Sequence, residues 1–231
     1  MGVTFALVHG AWHGAWCWER LLGPLEARGH RAVAMDLPAE DVDAGLDAYA
    51  DAIAAAVDGV DDELVLVPHS LNGLVAPLVA ARRPVRSIAY LAAFLPVEGQ
   101  TMNEQFGASP EPILTMTSRP VGDGPGRSRW VDERATTAAM YPDLTPADAH
   151  WAFERLRPQG QRSQREPHPG GLPGVPAVSI VGSHDRVVNP AWSRRVARER
   201  LGSDPIELDV GHFPMLTAPE ALAGVLAGLA R

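Results

Sequence analysis

Runs of four to seven apolar residues alternate along the chain with stretches whose apolar positions recur every three or four residues. That alternation predicts βαβ units and a parallel sheet. The runs read as strands are Thr4–Val8, Ala32–Met35, Leu64–Val67, Ser87–Leu91, Ala177–Val181 and Ile206–Val210. Between them, Trp18, Leu21, Leu22 and Leu25 form the stripe of an amphipathic helix. Leu46, Tyr49, Ala50, Ile53 and Val57 repeat it, as do Leu222, Val225, Leu226 and Leu229. Thr217-x-x-Glu220 reads as a capping box opening the last helix, and Asn189-Pro190 as another helix start. Six strands with five crossovers make a doubly wound sheet.

The fourth crossover breaks the pattern. From about Pro96 to Gly174 the chain is rich in Pro and Gly, with Ser118 through Arg129 reading as a loop or hairpin. Helical segments are expected near Glu133–Tyr141 and Pro146–Leu156. Such a length exceeds a simple crossover. It predicts a cap over residues 96–174, inserted into a core of residues 1–95 and 175–231 and lying over the C-terminal sheet edge, where open α/β sheets bind ligands. Trp130, Met140, Tyr141, Trp151 and Phe153 would give that cap an apolar underside.

Composition narrows the class of partner. The 231 residues suit one domain, or one core carrying an insertion, and 46% of them are hydrophobic, enough for a sizeable core. With 28 acidic and 20 basic residues the net charge is −8, which disfavours a nucleic-acid partner. No run is apolar and long enough to span a membrane. The start Met1-Gly2-Val3 lacks a basic signal-peptide region, and Ala6 stands where a myristoylation motif needs Ser or Thr. A lone Cys17 excludes an internal disulfide framework. The expectation is a cytoplasmic protein acting on a small molecule; a homodimer stays open.

Candidate chemistry sits at the strand ends. Val65-Leu66-Val67-Pro68-His69-Ser70 runs a buried strand into a serine and on into an apolar helix, the layout of a nucleophile elbow. Asp185 follows the fifth strand and His212 the sixth. All three would project from one sheet edge. Serine needs an adjacent base to act as nucleophile, and a carboxylate fixes the tautomer of a histidine base. The expected oxyanion donors are the N–H of Leu71, directly after the nucleophile, and of Ala11, in the loop after the first strand. Gly10, Trp12, Phe213, Trp130 and Trp151 are the expected substrate-contacting residues.

Each of these residues has a plainer alternative. Ser70 could be a helix N-cap, Asp185 a turn residue and His212 a structural histidine. Asp209 is a rival acid, but it falls within the sixth strand and faces away by period. His9 and His13 are four apart in a strand-end loop, not on a helix, so no metal is expected. They are read as bracing that loop, with His69 and His184 as structural neighbours.

The segment Phe5-Ala6-Leu7-Val8-His9-Gly10-Ala11-Trp12-His13-Gly14-Ala15-Trp16-Cys17-Trp18 resembles the opening of the plant-type esterase and hydroxynitrile lyase branch of the α/β-hydrolases. The likeness continues through His69-Ser70-Leu71, Ala92-Ala93-Phe94-Leu95-Pro96, Arg157-Pro158-Gln159 and Gly211-His212-Phe213-Pro214-Met215-Leu216. It implies an α/β-hydrolase fold: a six-stranded parallel sheet flanked by helices, with a cap inserted after the fourth strand. It also implies Ser70, Asp185 and His212 as the catalytic set, with no metal and no organic cofactor. Lyases of that branch carry Thr in place of Gly10 and Lys in place of Phe213, so the residues favour ester hydrolysis. The chain departs from the Gly-x-Ser-x-Gly elbow at Pro68 and Asn72, while Gly73 stands ready to relieve the packing. The expected activity is hydrolysis of a small, mostly apolar carboxylic ester. A non-hydrolytic lyase or tailoring enzyme using the same triad as general base, and a catalytically weak ligand-binding protein, are the alternatives.

Overall fold

The computed structural model describes residues 3–108 and 120–230. Its centre is a six-stranded parallel sheet of β1 (Val3–Val8), β2 (Arg31–Met35), β3 (Glu63–Pro68), β4 (Ser87–Leu91), β8 (Ala177–Gly182) and β9 (Ile206–Leu208), in the order β2-β1-β3-β4-β8-β9. Every expected strand is present. The last stops at Leu208, so Asp209 lies just beyond it and not within it.

The central strands β1, β3, β4 and β8 are largely apolar because both their faces are covered, whereas the edge strands β2 and β9 are partly exposed and carry Arg31 and Glu207. Ala6, Val8, Leu64, Leu66, Ile88 and Tyr90 pack on one side with α2 (Leu46–Ala56), α3 (Ala76–Arg82) and α8 (Pro190–Val196). The intervening Phe5, Leu7, Val65, Val67, Ala89 and Leu91 pack on the other with α1 (Glu19–Glu26) and α10 (Pro219–Leu229). Leu21 and Leu25 of α1, and Trp18 just before it, are buried as the stripe requires, whereas Leu22 is exposed.

Two helix starts came out differently. Asn189 caps α8 by accepting the Ala191 N–H (3.0 Å), as expected. The capping box at Thr217 and Glu220 does not form. Pro219 takes the first helical position of α10 and leaves Ala218 as N-cap. The Thr217 hydroxyl instead donates to the Phe213 carbonyl at the end of α9 (Pro214–Thr217), and Glu220 pairs with Arg28 at 2.9 Å.

Between β4 and β8 runs the long connection. It holds α4 (Met102–Ala108), an antiparallel sheet of β5 (Val121–Gly122), β6 (Arg127–Arg129) and β7 (Gln159–Gly160), and the helices α5 (Glu133–Met140), α6 (Pro146–Phe153) and α7 (Arg162–Arg165). The expected hairpin is the β5–β6 pair; Ser118 and Arg119, where it was expected to begin, lie outside the described residues, as do Met1 and Gly2. Trp130, Met140 and Tyr141 are buried in the same apolar cluster as Trp18 and Phe5, with Trp151 and Phe153 at its margin. The connection therefore shares the core's apolar interior. No helix among the described residues is long and apolar enough to cross a membrane.

Candidate active site

Ser70 stands on a sharp turn. His69 is extended, Ser70 has φ +55°, and a 3-10 helix over Ser70–Val75 leads into α3. A left-handed backbone costs a non-glycine residue about 1–3 kcal/mol and persists only where its surroundings enforce it. Here the Phe94 N–H holds the Ser70 carbonyl (3.0 Å), and the Asn72 N–H closes on the His69 carbonyl (3.1 Å). The N-cap position belongs to His69, so the helix-cap alternative for Ser70 falls away.

The two departures from the elbow pattern have distinct local solutions. Pro68 offers no N–H, and the β3–β4 register stops after Leu66↔Ile88, resuming as a single bridge between His69 and Leu91. Asn72 is buried and donates Nδ2–H to the His9 carbonyl at 2.6 Å, tying the Ser70 turn to the end of β1. The close approach that needs glycine falls one place later. A Cβ on Gly73 would lie 2.1 Å from the Phe94 carbonyl oxygen.

The expected acid and base follow β8 and β9, two adjacent strands. Asp185 follows β8 and its Oδ1 accepts the Val187 and Val188 N–H groups at 2.7 and 2.9 Å. Its Oδ2 accepts Nδ1–H of His212 at 2.6 Å, and the Ser70 hydroxyl donates to His212 Nε2 at 3.0 Å. All three side chains are buried. The turn alternative for Asp185 is half right: one oxygen holds the turn while the other holds the imidazole. Two contacts brace the histidine loop from outside. Nε2–H of His69 donates to the His212 carbonyl (2.9 Å), and the Gly211 N–H donates to Asp143 in the connection (2.8 Å). Asp209 pairs with exposed His184 at 2.7 Å and takes no part.

The loop after β1 closes the other side of Ser70. Gly10 packs so tightly that a Cβ there would sit 2.8 Å from His69 Nδ1 and 2.9 Å from the Ser70 Cβ. Nδ1–H of His9 donates to the Gly10 carbonyl (2.8 Å), while its Nε2 accepts the Leu37 N–H (3.1 Å). His13 donates Nδ1–H to the Ala11 carbonyl (2.7 Å) and accepts the Tyr141 hydroxyl at Nε2 (2.6 Å). Burial keeps these rings neutral: it lowers His9 to about 4, His13 to about 3, and His69 well below the ordinary histidine value. They brace the loop, as the sequence suggested. The carbonyls of Gly10 and Ala11 are thus engaged, whereas the N–H groups of Ala11 and Leu71 donate to no partner among the described residues. Among those residues no cluster of three or more His, Cys, Asp or Glu could hold a metal ion.

A cavity of about 60 Å³ opens beside Ser70, lined by Ala11, Trp12, Leu71, Phe94, Met102, Gln164 and Val187. Of the expected substrate contacts, only Trp12 is on its wall; Gly10 lies beneath it against Ser70. Phe213 is buried and stacks on His13, with ring centroids 4.6 Å apart. Trp130 supports Trp12 edge-on at 6.0 Å. Trp151 lies against Trp16 and under the guanidinium of Arg155, 4.5 Å from its ring centre. Trp130 and Phe213 are absent from this wall because the apolar interior absorbs them, whereas Trp151 lies half-buried at the margin of that interior. Phe94 and Val187, which replace them, sit just after β4 and β8, where strand-end position could have singled them out. Met102 and Gln164 carried no such signal.

The sheet order and the turn at Ser70, with Asp185 and His212 brought to the same edge, are the arrangement of an α/β fold with its polar residues gathered at the strand ends. The chain belongs to the alpha/beta hydrolase family, whose model matches residues 5–225. It is 40% identical over 258 residues to the probable esterase PIR7A of Oryza sativa subsp. indica, covering 99% of this chain and 97% of that protein. Methylesterase 2 of Arabidopsis thaliana is 28% identical over 251 residues, covering 98% and 95%. The crystal structure of polyneuridine aldehyde esterase superposes with a TM-score of 0.80 at 20% identity over the whole of both chains, a likeness of fold.

Proposed function

We propose that this protein is a carboxylic ester hydrolase that works through an acyl-enzyme on Ser70. Ser70 Oγ attacks the ester carbonyl as His212 Nε2 takes its proton. The tetrahedral oxyanion is held by the N–H groups of Ala11 and Leu71. His212 then protonates the departing alcohol, the C–O bond breaks and the acyl group remains on Ser70. Water, deprotonated by His212, repeats the attack, releases the carboxylic acid and restores the serine. Asp185 holds Nδ1–H of His212 throughout and stabilises the imidazolium. The single observation that carries this reading is the continuous chain from Ser70 Oγ through His212 to Asp185, set beside two N–H groups with no partner among the described residues.

The mostly apolar wall of the cavity supports a small, mostly apolar ester, and esterase and methylesterase relatives support the reaction class. The connection of residues 96–174 serves as the cap, contributing Met102 and Gln164 to the wall. Where a lyase of the resembling branch carries a lysine, this site has a buried, stacked Phe213. Turnover of a panel of short-chain methyl and aryl esters tests the proposal. Ser70→Ala and His212→Ala should each lower kcat/KM by at least about 1000-fold in folded protein, and the double variant should lose little more. Activity retained in both single variants overturns it.

A further inference from the structure

Trp12, beside the proposed donor Ala11, is a second non-glycine residue in the left-handed region, at φ +62°. Every polar group it has is gripped by the distant connection. Its N–H donates to Gln159 Oε1 at 3.2 Å, its carbonyl accepts the Arg157 N–H at 2.8 Å, and its indole N–H donates to Ser128 Oγ at 3.2 Å. Ser128 and Gln159 face each other across the β6–β7 pair, so one small sheet supplies both side-chain contacts.

Gln159 is fully buried, and its orientation is dictated from behind. Its Nε2 meets the Gly160 carbonyl at 2.8 Å, an acceptor that only the NH2 end can satisfy, and the Tyr49 hydroxyl at 2.9 Å. Tyr49 is itself locked in the core on α2. The amide oxygen therefore has to face the loop, where it captures the Trp12 N–H. That capture removes the neighbouring donor from the site and fixes the peptide that follows Ala11.

We infer that Gln159 is a positioning residue for acyl transfer, holding Trp12 left-handed so that the Ala11 N–H meets the oxyanion. This rests on the hydrolase reading above. The contact spans 147 residues of sequence, so the oxyanion loop is completed by the inserted connection and not by the core alone.

The test compares Gln159→Leu, Gln159→Glu and Tyr49→Phe with wild type. Leu keeps the bulk and loses the acceptor; Glu keeps an acceptor for the Trp12 N–H; Phe removes one of the two groups that orient the amide. Because a misplacement of about 1 Å can cost about 100-fold, Gln159→Leu should lower kcat about 10- to 100-fold with KM within about threefold. Affinity for an alkyl trifluoromethyl ketone, whose adduct carries the oxyanion, should fall by the same factor as kcat/KM. Inhibition by the neutral product alcohol should not move. Gln159→Glu should recover most of the loss, and Tyr49→Phe should show a smaller loss confined to kcat. Wild-type kcat in folded Gln159→Leu, or a loss confined to KM, overturns the inference. Should Gln159→Leu fail to fold, unchanged kcat and ketone affinity in Tyr49→Phe overturn it equally. A wild type that turns over no ester and takes no fluorophosphonate overturns the hydrolase reading first; a wild type that does both, beside a fully active Gln159→Leu, overturns only the role of Gln159.

Discussion

Two imidazole–carboxylate pairs lie at the C-terminal edge of the sheet, His212 with Asp185 at 2.6 Å and His184 with Asp209 at 2.7 Å. Each even has a serine close by. They differ in burial: the side chains of the first pair are 3% and 2% exposed, those of the second 69% and 91%. Water competes for every hydrogen bond of the exposed pair, and its attraction is screened. The buried pair is oriented from all sides, by Val187 and Val188 on the carboxylate and by His69 and Asp143 on the histidine loop. Its serine addresses the imidazole, whereas Ser183 donates to the Asp209 carboxylate at 3.3 Å and leaves its imidazole without a nucleophile. The contrast teaches that residue types and pair distance do not set the two pairs apart; enclosure and a serine on the far nitrogen do.

Breaking the buried pair should have the largest effect. Asp185→Asn keeps an oxygen for the Val187 and Val188 N–H groups, but its NH2 would face His212 Nδ1. That selects the tautomer whose Nε2 carries the proton and cannot accept one from Ser70. A fall in kcat of about 1000- to 10,000-fold is expected from steady-state ester hydrolysis; a loss under tenfold would show that Asp185 does not set the tautomer.

Acid sharpens the contrast next. His9 and His13 titrate at about 4 and about 3 in the folded protein and His69 is also strongly lowered, while the unfolded chain takes up these protons near the ordinary histidine value of 6.5. Above pH 6.5 neither state is protonated and stability is whole. As pH falls from 6.5 towards 4 only the unfolded chain gains charge, so each ring costs about 1.4 kcal/mol of stability per pH unit. Urea midpoints at pH 7.5 and 5.0 should differ clearly, with the lower value at pH 5.0. Equal midpoints would contradict neutral burial of these rings. Smallest of all should be Asp209→Asn and His184→Ala, with kcat within about twofold of wild type because the pair is solvated and bonds to neither Asp185 nor His212.

What was legible in the sequence follows from which forces leave a local trace. Strands covered on both faces write apolar runs, so β1, β3, β4 and β8 could be read directly, the edge strands β2 and β9 followed from the same repeat, and Ser70, Asp185 and His212 from their places after strands. Contacts between a side chain and a distant backbone write nothing periodic. Gln159 on Trp12, Asp143 on Gly211 and Asn72 on His9 were therefore invisible as interactions, although Gln159 and Asn72 stood in segments already singled out. Two large aromatics, Trp130 in the connection and Phe213 after β9, misled for a related reason. Apolar size marks burial, and Trp130 and Phe213 are buried in the interior, not on the wall beside Ser70. At Thr217 a short motif fitted the capping-box template, but Pro219 set the helix start one residue on.

The most direct test of the central claim, an activated Ser70 in an enclosed site, is intact mass after exposure to an alkyl fluorophosphonate. Wild type should gain a single adduct, with displacement of fluoride by Ser70 Oγ, and Ser70→Ala should gain none. A folded wild type that takes no adduct, or an adduct that survives in Ser70→Ala, would contradict the account.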